Sequence, residues 1–395
     1  MKRFKTATFV GAAIAVLALP AFDAVGAANQ VAPASLVSAR QHFFGAENVD
    51  PVTGDVRKDE VIFSWMTNAS LAVSLKGRVF LLNSYINRLE TTRGRTPLLI
   101  QDVLDLRPEA ILLGHGHGDH ANNAAFIAGS LNIPIYTSPE TCDSMQLDAA
   151  RIFGAGRTVD CIPVVPRDPS GTGVGDIGQH IAQLDFLEPL ACVTVFKQLH
   201  SAIVPPDPTI PFVMVNNIGD PRDPAMYPPG VPVTGLQTTS GIGGSVSLFY
   251  QFVLRGKPNF TFVWHDTVGP LPERAPQVID ILDALPKTDV EFGSMVTLGN
   301  PPPNGVRDPV IYQRHIKPKI YTPMHLTDVA QLGSSPEWRL AYLQELDAMN
   351  VPQSERPEAR WLVDPLDYLR PMVYDPKDKR WEDSSRPSNF CRDRS

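Results

Sequence analysis

Several classes of activity are made improbable by what these 395 residues lack. No Gly-x-Ser-x-Gly elbow is present to carry a serine nucleophile at a strand-to-helix turn. Cysteine is scarce, and none of the four forms a CxxC redox or metal pair. Charged residues make up only 19% of the chain, and 35 cations face 42 anions, for a net charge of -7. Phosphate backbones require a basic footprint, so nucleic acid is excluded as a main partner, and anionic membrane surfaces are disfavoured. There is no internal repeat and no low-complexity tract. What remains, 43% hydrophobic residues in a long chain, is enough core for one large globular domain or two ordinary ones.

The amino terminus reads as an export signal over residues 1–27. Lys2, Arg3 and Lys5 form a basic start, Ala7 to Phe22 is almost wholly apolar, and Val25-Gly26-Ala27 offers small residues for cleavage before Ala28. The apolar run falls short of the roughly 20 residues that span a bilayer, so no stable membrane insertion is expected after cleavage. The mature protein would be periplasmic or secreted. In that compartment Cys142, Cys161, Cys192 and Cys391 can pair in three ways or stay as buried thiols. Cys142 and Cys161 are the closest in sequence.

Most of the chemical information lies in His115-Gly116-His117-Gly118-Asp119-His120, a third of the nine histidines within six positions. Imidazole nitrogen and carboxylate oxygen are donors that zinc favours, and three histidines this close have no packing rationale. The glycines are expected to let the backbone turn sharply. The cluster follows an apolar strand at 110–113 and precedes a helix from about Asp119, the strand–loop–helix order of α/β proteins. Upstream, 61–63, 71–75 and 78–82 read as strands, with Lys76-Gly77 as a hairpin turn and a helix from Pro97 to Leu106. Further strands are expected at 133–136, 191–196, 245–254, 260–264 and 319–322, and helices at 276–285 and 336–349, the last opening with Ser335 and Pro336. Residues 28–58 read as a surface lead-in, 59–374 as the catalytic domain, and 375–395 as a charged, solvated tail. The stretch 204–233, with nine prolines, suits a loop bordering the site.

His-x-His-x-Asp-His after an apolar strand resembles the signature of the metallo-β-lactamase superfamily of hydrolases. The resemblance spans about residues 60 to 326 and implies an α/β fold, a four-layer αββα sandwich with metals at one rim. It also implies three later ligands at strand ends, and His200, Asp266 and His325 stand in the right order. Leu199-His200-Ser201 gives a faint likeness to the ascorbate-phosphate-lactonase-like branch. Carried over, His115, His117 and His200 would hold one ion, Asp119, His120 and His325 the other, and Asp266 would bridge them. Two zinc ions are implied, with manganese or iron as alternatives.

The implied activity is hydrolysis of an ester, lactone, amide or phosphoester bond in a small-molecule substrate. A bridging hydroxide would attack, and Asp119 would orient it and relay a proton. Two other readings stay open: a mononuclear iron oxidoreductase of the same fold, as in persulfide-oxidising relatives, and a non-catalytic metal-binding protein. Two departures stand out. Asn83 occupies a place where many relatives have aspartate, and His265 one where they have glycine. His265 is expected to point away from the metals, because neighbours on a strand alternate faces. His42, His180 and His315 read as surface or structural. Oligomeric state is not legible in the sequence.

Overall fold

The computed structural model describes residues 31–86, 98–169, 175–201, 246–256, 260–295, 306–325, 336–362 and 366–382. The segment expected to be an export signal, the proline-rich stretch and Ser335 lie outside them. Among the described residues, no helix is long and apolar enough to cross a membrane.

In chain order the strands are β1 Val61–Thr67, β2 Ser70–Leu75, β3 Arg78–Leu82, β4 Ile111–Leu112, β5 Ile135–Thr137, β6 Cys161–Pro163 and β7 Ile181–Leu184. They continue as β8 Ala191–Gln198, β9 Ser247–Leu254, β10 Thr261–His265, β11 Val290–Ser294, β12 Ile320–Met324, β13 Glu358–Ala359 and β14 Pro371–Tyr374. One seven-stranded sheet runs β14-β1-β2-β3-β4-β5-β6 and a second runs β13-β12-β11-β10-β9-β8-β7. Both are mixed, with β3 to β6 parallel in the first and β10 to β13 parallel in the second. The expected hairpin turn is present, since Lys76 and Gly77 both have positive φ, the geometry that suits strand twist.

A sheet covered on both faces buries its inner strands throughout, and β1 shows how. Val61, Phe63 and Trp65 enter the core between the sheets, where Phe63 meets Phe262 edge-on with ring centroids 4.9 Å apart. Ile62 and Met66 point the other way, into a core shared with the helices Ala34–Phe44, Ile100–Leu106 and Ala124–Leu131. The outer face of the second sheet is covered by Pro276–Ala284, Arg307–Ile316 and Pro336–Ala348. Helices, sheet, sheet, helices: the architecture is the four-layer αββα sandwich.

Three expectations need correction. The lead-in is no mere surface wrap, because Phe43 and Phe44 end a helix and are fully buried. Nor is the tail simply solvated: up to residue 382 it packs back, with Trp381 buried and its carbonyl oxygen accepting from the buried Lys287 at 2.6 Å. The single helix expected from Asp119 is two short ones, Gly118–Ala121 and Ala124–Leu131, parted where Asn123 adopts a left-handed φ of 73°. The sequence reading also passed over the helix Pro139–Phe153, which Ser138 caps by accepting from the Thr141 amide. That helix is tied to β6 by a Cys142–Cys161 disulfide, and Cys192 is disulfide-bonded as well.

Candidate metal centre

The site forms where strands from both sheets end on the same rim. β4 runs into the His115 loop, β8 ends two residues before His200, β10 one before Asp266, and β12 one before His325. Gly114 joins these parts. Its amide donates to Asn83 Oδ1 just past β3, and its carbonyl accepts from the Leu248 amide in β9. A Cβ at Gly114 would run into all three atoms of the Asp266 carboxyl group, which explains glycine there. Gly116 and Gly118 are not among the described glycines with positive φ, so the conformational freedom expected of them is not what shapes the loop.

Six of the seven expected donors converge as two triads. His115 Nε2, His117 Nδ1 and His200 Nε2 lie 3.0, 3.1 and 3.2 Å from one another. Asp119 Oδ2, His120 Nε2 and His325 Nε2 do the same, at 3.1, 3.1 and 3.2 Å. Donors about 2.0–2.2 Å from a tetrahedral zinc stand roughly 3.3 Å apart, so both triangles fit such an ion. Three imidazole nitrogens that face one another cannot all satisfy each other by hydrogen bonds. A cation between them satisfies all three at once. Asp119 and His200 are the donors not fully buried.

Asp266 is placed differently. Its Oδ1 is 3.0 Å from His115 Nδ1 and its Oδ2 3.1 Å from His120 Nδ1, the nitrogens on the far side of the rings from the triads. These three residues form a further group of closely spaced donors on that side. The bridging position implied by the resemblance is therefore not where this carboxylate lies. It stands behind two ligands, where a carboxylate fixes ring orientation and raises the basicity of the metal-binding nitrogen. Asn83 completes the support, with Nδ2 2.9 Å from Asp266 Oδ2 and 2.8 Å from His120 Nδ1. The charge that asparagine lacks at position 83 is thus supplied from another strand.

The charge states of these groups follow from burial and from these neighbours. Burial, reinforced by the facing imidazoles, holds His117 well below the usual histidine value and His200 down to about 3. Burial also lowers His115, against the pull of Asp266. For His120 burial is outweighed by the carboxylates of Asp119 and Asp266, which raise it to about 10. Burial would raise Asp119, but His120 and His325 pull it well below the ordinary carboxylate range. At neutral pH His117 and His200 are therefore unprotonated, while His120 must release its proton to a metal. Affinity at the Asp119 triad should rise with pH until about 10, with about one proton released per ion, while the His115 triad releases none. Calorimetric titration of zinc in buffers of different ionisation heat measures both counts, and equal release at the two triads would contradict the assignment.

Asn68 was missed by sequence reading. It sits in the β1–β2 turn, buried, with a left-handed φ of 47°. Its Nδ2 donates to the Asp119 carbonyl oxygen at 2.9 Å and to Asp119 Oδ2 at 3.2 Å, and its own carbonyl accepts from the His325 amide. One residue thus aligns two donors of the second triad, Asp119 through its side chain and His325 through its backbone carbonyl. Asn68→Gly keeps the φ but removes the donor, and should weaken zinc at that triad by about 10-fold while sparing the other, as competition with a chromophoric chelator would read.

The remaining histidines fit the bland expectations. His265 points away from both triads, stacked between Phe249 and Tyr312, with Nε2 3.0 Å from Glu291 Oε1. His315 pairs with Asp283 on the surface, and His42 and His180 are exposed.

No family model and no curated protein matches the chain. Among solved structures it is similar to Igni18, a metallo hydrolase from the archaeon Ignicoccus hospitalis, at 12% identity and TM-score 0.47, over 80% of this chain and 98% of that one. It is also similar to the diiron β-hydroxylase CmlA of Streptomyces venezuelae, at 11% identity and TM-score 0.43, over 81% and 55%. A third is zinc-bound PqqB from Methylobacterium extorquens, at 13% identity and TM-score 0.39, over 80% and 88%. Its own two helix-covered sheets, with His115 to His120 at the carboxyl end of β4, give the chain the metallo-β-lactamase fold.

Proposed function

We propose that this protein is an exported hydrolase that works with two divalent ions, zinc by its donor chemistry. The observation that carries the reading is the pair of separate triads at one rim, with no donor shared between them. Two such ions polarise a carbonyl or phosphoryl group and lower the pKa of water. The residues do the rest. His115, His117 and His200 offer neutral nitrogens to one ion, and Asp119, His120 and His325 serve the other. Asp266 and Asn83 hold His115 and His120 in place. Asp119, ionised and partly exposed, is the group placed to take a proton from water and hand it to the leaving group. The disulfide bonds support export, since they persist in oxidising compartments.

A panel of lactones, esters, phosphodiesters and β-lactams, assayed on protein loaded with zinc or manganese, tests the proposal. Turnover that needs two ions per chain is expected. One iron per chain with oxygen consumption would favour the oxidoreductase reading, and full metal loading without turnover the non-catalytic one.

A further inference from the structure

His265 and Glu291 form a polar pair inside an otherwise apolar layer. Both are buried, in the adjacent parallel strands β10 and β11, with His265 Nε2 3.0 Å from Glu291 Oε1. Phe249 and Tyr312 stack on the imidazole, with ring centroids 5.3 and 5.2 Å away. A Cβ at Gly293 would meet His265 Nε2 at 2.7 Å and Glu291 Oε1 at 2.6 Å, so the backbone itself makes room for the pair. Apolar residues of similar volume often serve a core as well or better, so stability alone does not explain these two.

Their connection to the rim does. His265 Nδ1 lies 3.3 Å from the Thr267 carbonyl oxygen, which also accepts from Gln198 Nε2 at 3.1 Å. A carbonyl only accepts, so His265 Nδ1 carries a proton, and the Glu291 contact holds the ring in that orientation. Thr267 Oγ1 in turn accepts from the Ser201 amide at 3.1 Å, and the Ser201 carbonyl oxygen faces His200 Nδ1 at 2.7 Å. That last bond places the His200 proton on Nδ1 and leaves Nε2, the triad nitrogen, open to a metal. His200 is the one donor of its triad supplied by the second sheet, since His115 and His117 follow β4 of the first. Its alignment therefore depends on ties made within the second sheet. We infer that His265 and Glu291 are positioning residues for His200, acting through Thr267 and Ser201. The inference rests on the metal reading of the first triad, and it gives a task to the histidine that stands where the resembling family has glycine.

The test uses cadmium-113 as a stand-in for zinc, in protein whose histidines carry nitrogen-15. Two cadmium resonances are expected, one split by three imidazole nitrogens and one by two, which assigns each ion to its triad. Chelator is then added until it competes, and the intensity ratio of the two resonances is read. His265→Phe combined with Glu291→Leu keeps the aromatic stack and leaves no orphaned carboxylate. It should weaken the three-nitrogen ion about tenfold relative to the other. Thr267→Val leaves the buried pair intact and should do the same. Glu291→Gln keeps a partner for His265 Nε2 and should bind both ions as the wild type does. A pair that only stabilised the core would shift the melting temperature and leave the ratio unchanged. An unchanged ratio in Thr267→Val overturns the inference, whether or not the double variant folds. An unchanged ratio in the double variant overturns it too. If the wild type shows no pair of resonances split by three and by two nitrogens, the metal reading falls and the inference with it.

Discussion

Replacing His117 with alanine should cut bound zinc from two ions per chain to one and lower hydrolytic turnover by about a thousandfold, roughly 4 kcal/mol of transition-state stabilisation. The His117 Nδ1 is within 3.1 Å of both other nitrogens of its triad, so its removal leaves His115 and His200 as a two-donor remnant. The Asp119 triad shares no donor with it and should keep its ion. Elemental analysis and turnover, measured on one sample, separate the two effects. Two ions retained with unchanged turnover would show that the triad is not a metal site.

A single methyl group at position 114 should be nearly as damaging, although Gly114 binds nothing itself. The new Cβ would meet Cγ, Oδ1 and Oδ2 of Asp266, and that carboxylate has no room to yield. It is fully buried, against His115 Nδ1 on one oxygen and Asn83 Nδ2 on the other. Gly114→Ala should cost about 3 kcal/mol of stability through overpacking and weaken zinc by about 100-fold through misaligned histidines. Adding Asp266→Ala removes the colliding atoms. The double variant should then melt close to Asp266→Ala alone, yet still bind zinc poorly. Such non-additivity is the signature of two residues in direct contact. If Gly114→Ala melts and binds metal like the wild type, the proposed packing of Asp266 is wrong.

These two residues also mark where sequence reasoning reaches and where it stops. His115, His117, Asp119 and His120 were legible because their spacing is itself the chemistry, and His200 and His325 because each follows an apolar run that could only be a strand. Asp266 was legible as a carboxylate at a strand end, but not in its role. Whether it meets Nε2 or Nδ1 depends on where β10 ends relative to β4, which no local pattern encodes. Asn68 was invisible for the same reason, since its partner Asp119 lies 51 residues away. β11 was hidden by composition: Glu291 interrupts the apolar pattern of a fully buried strand, and only its contact with His265 makes it tolerable there. Charge likewise disguised the tail, where Trp381 is buried beneath the Arg380 guanidinium, 3.9 Å from the ring centroid.

Anomalous diffraction from crystals of zinc-loaded protein, recorded on both sides of the zinc absorption edge, tests the central claim most directly. Two peaks are expected, one within bonding distance of His115 Nε2, His117 Nδ1 and His200 Nε2. The other should be bound by Asp119 Oδ2, His120 Nε2 and His325 Nε2, with Asp266 still against the Nδ1 atoms behind them. A single peak, or an Asp266 oxygen bonded to both ions, would contradict the account.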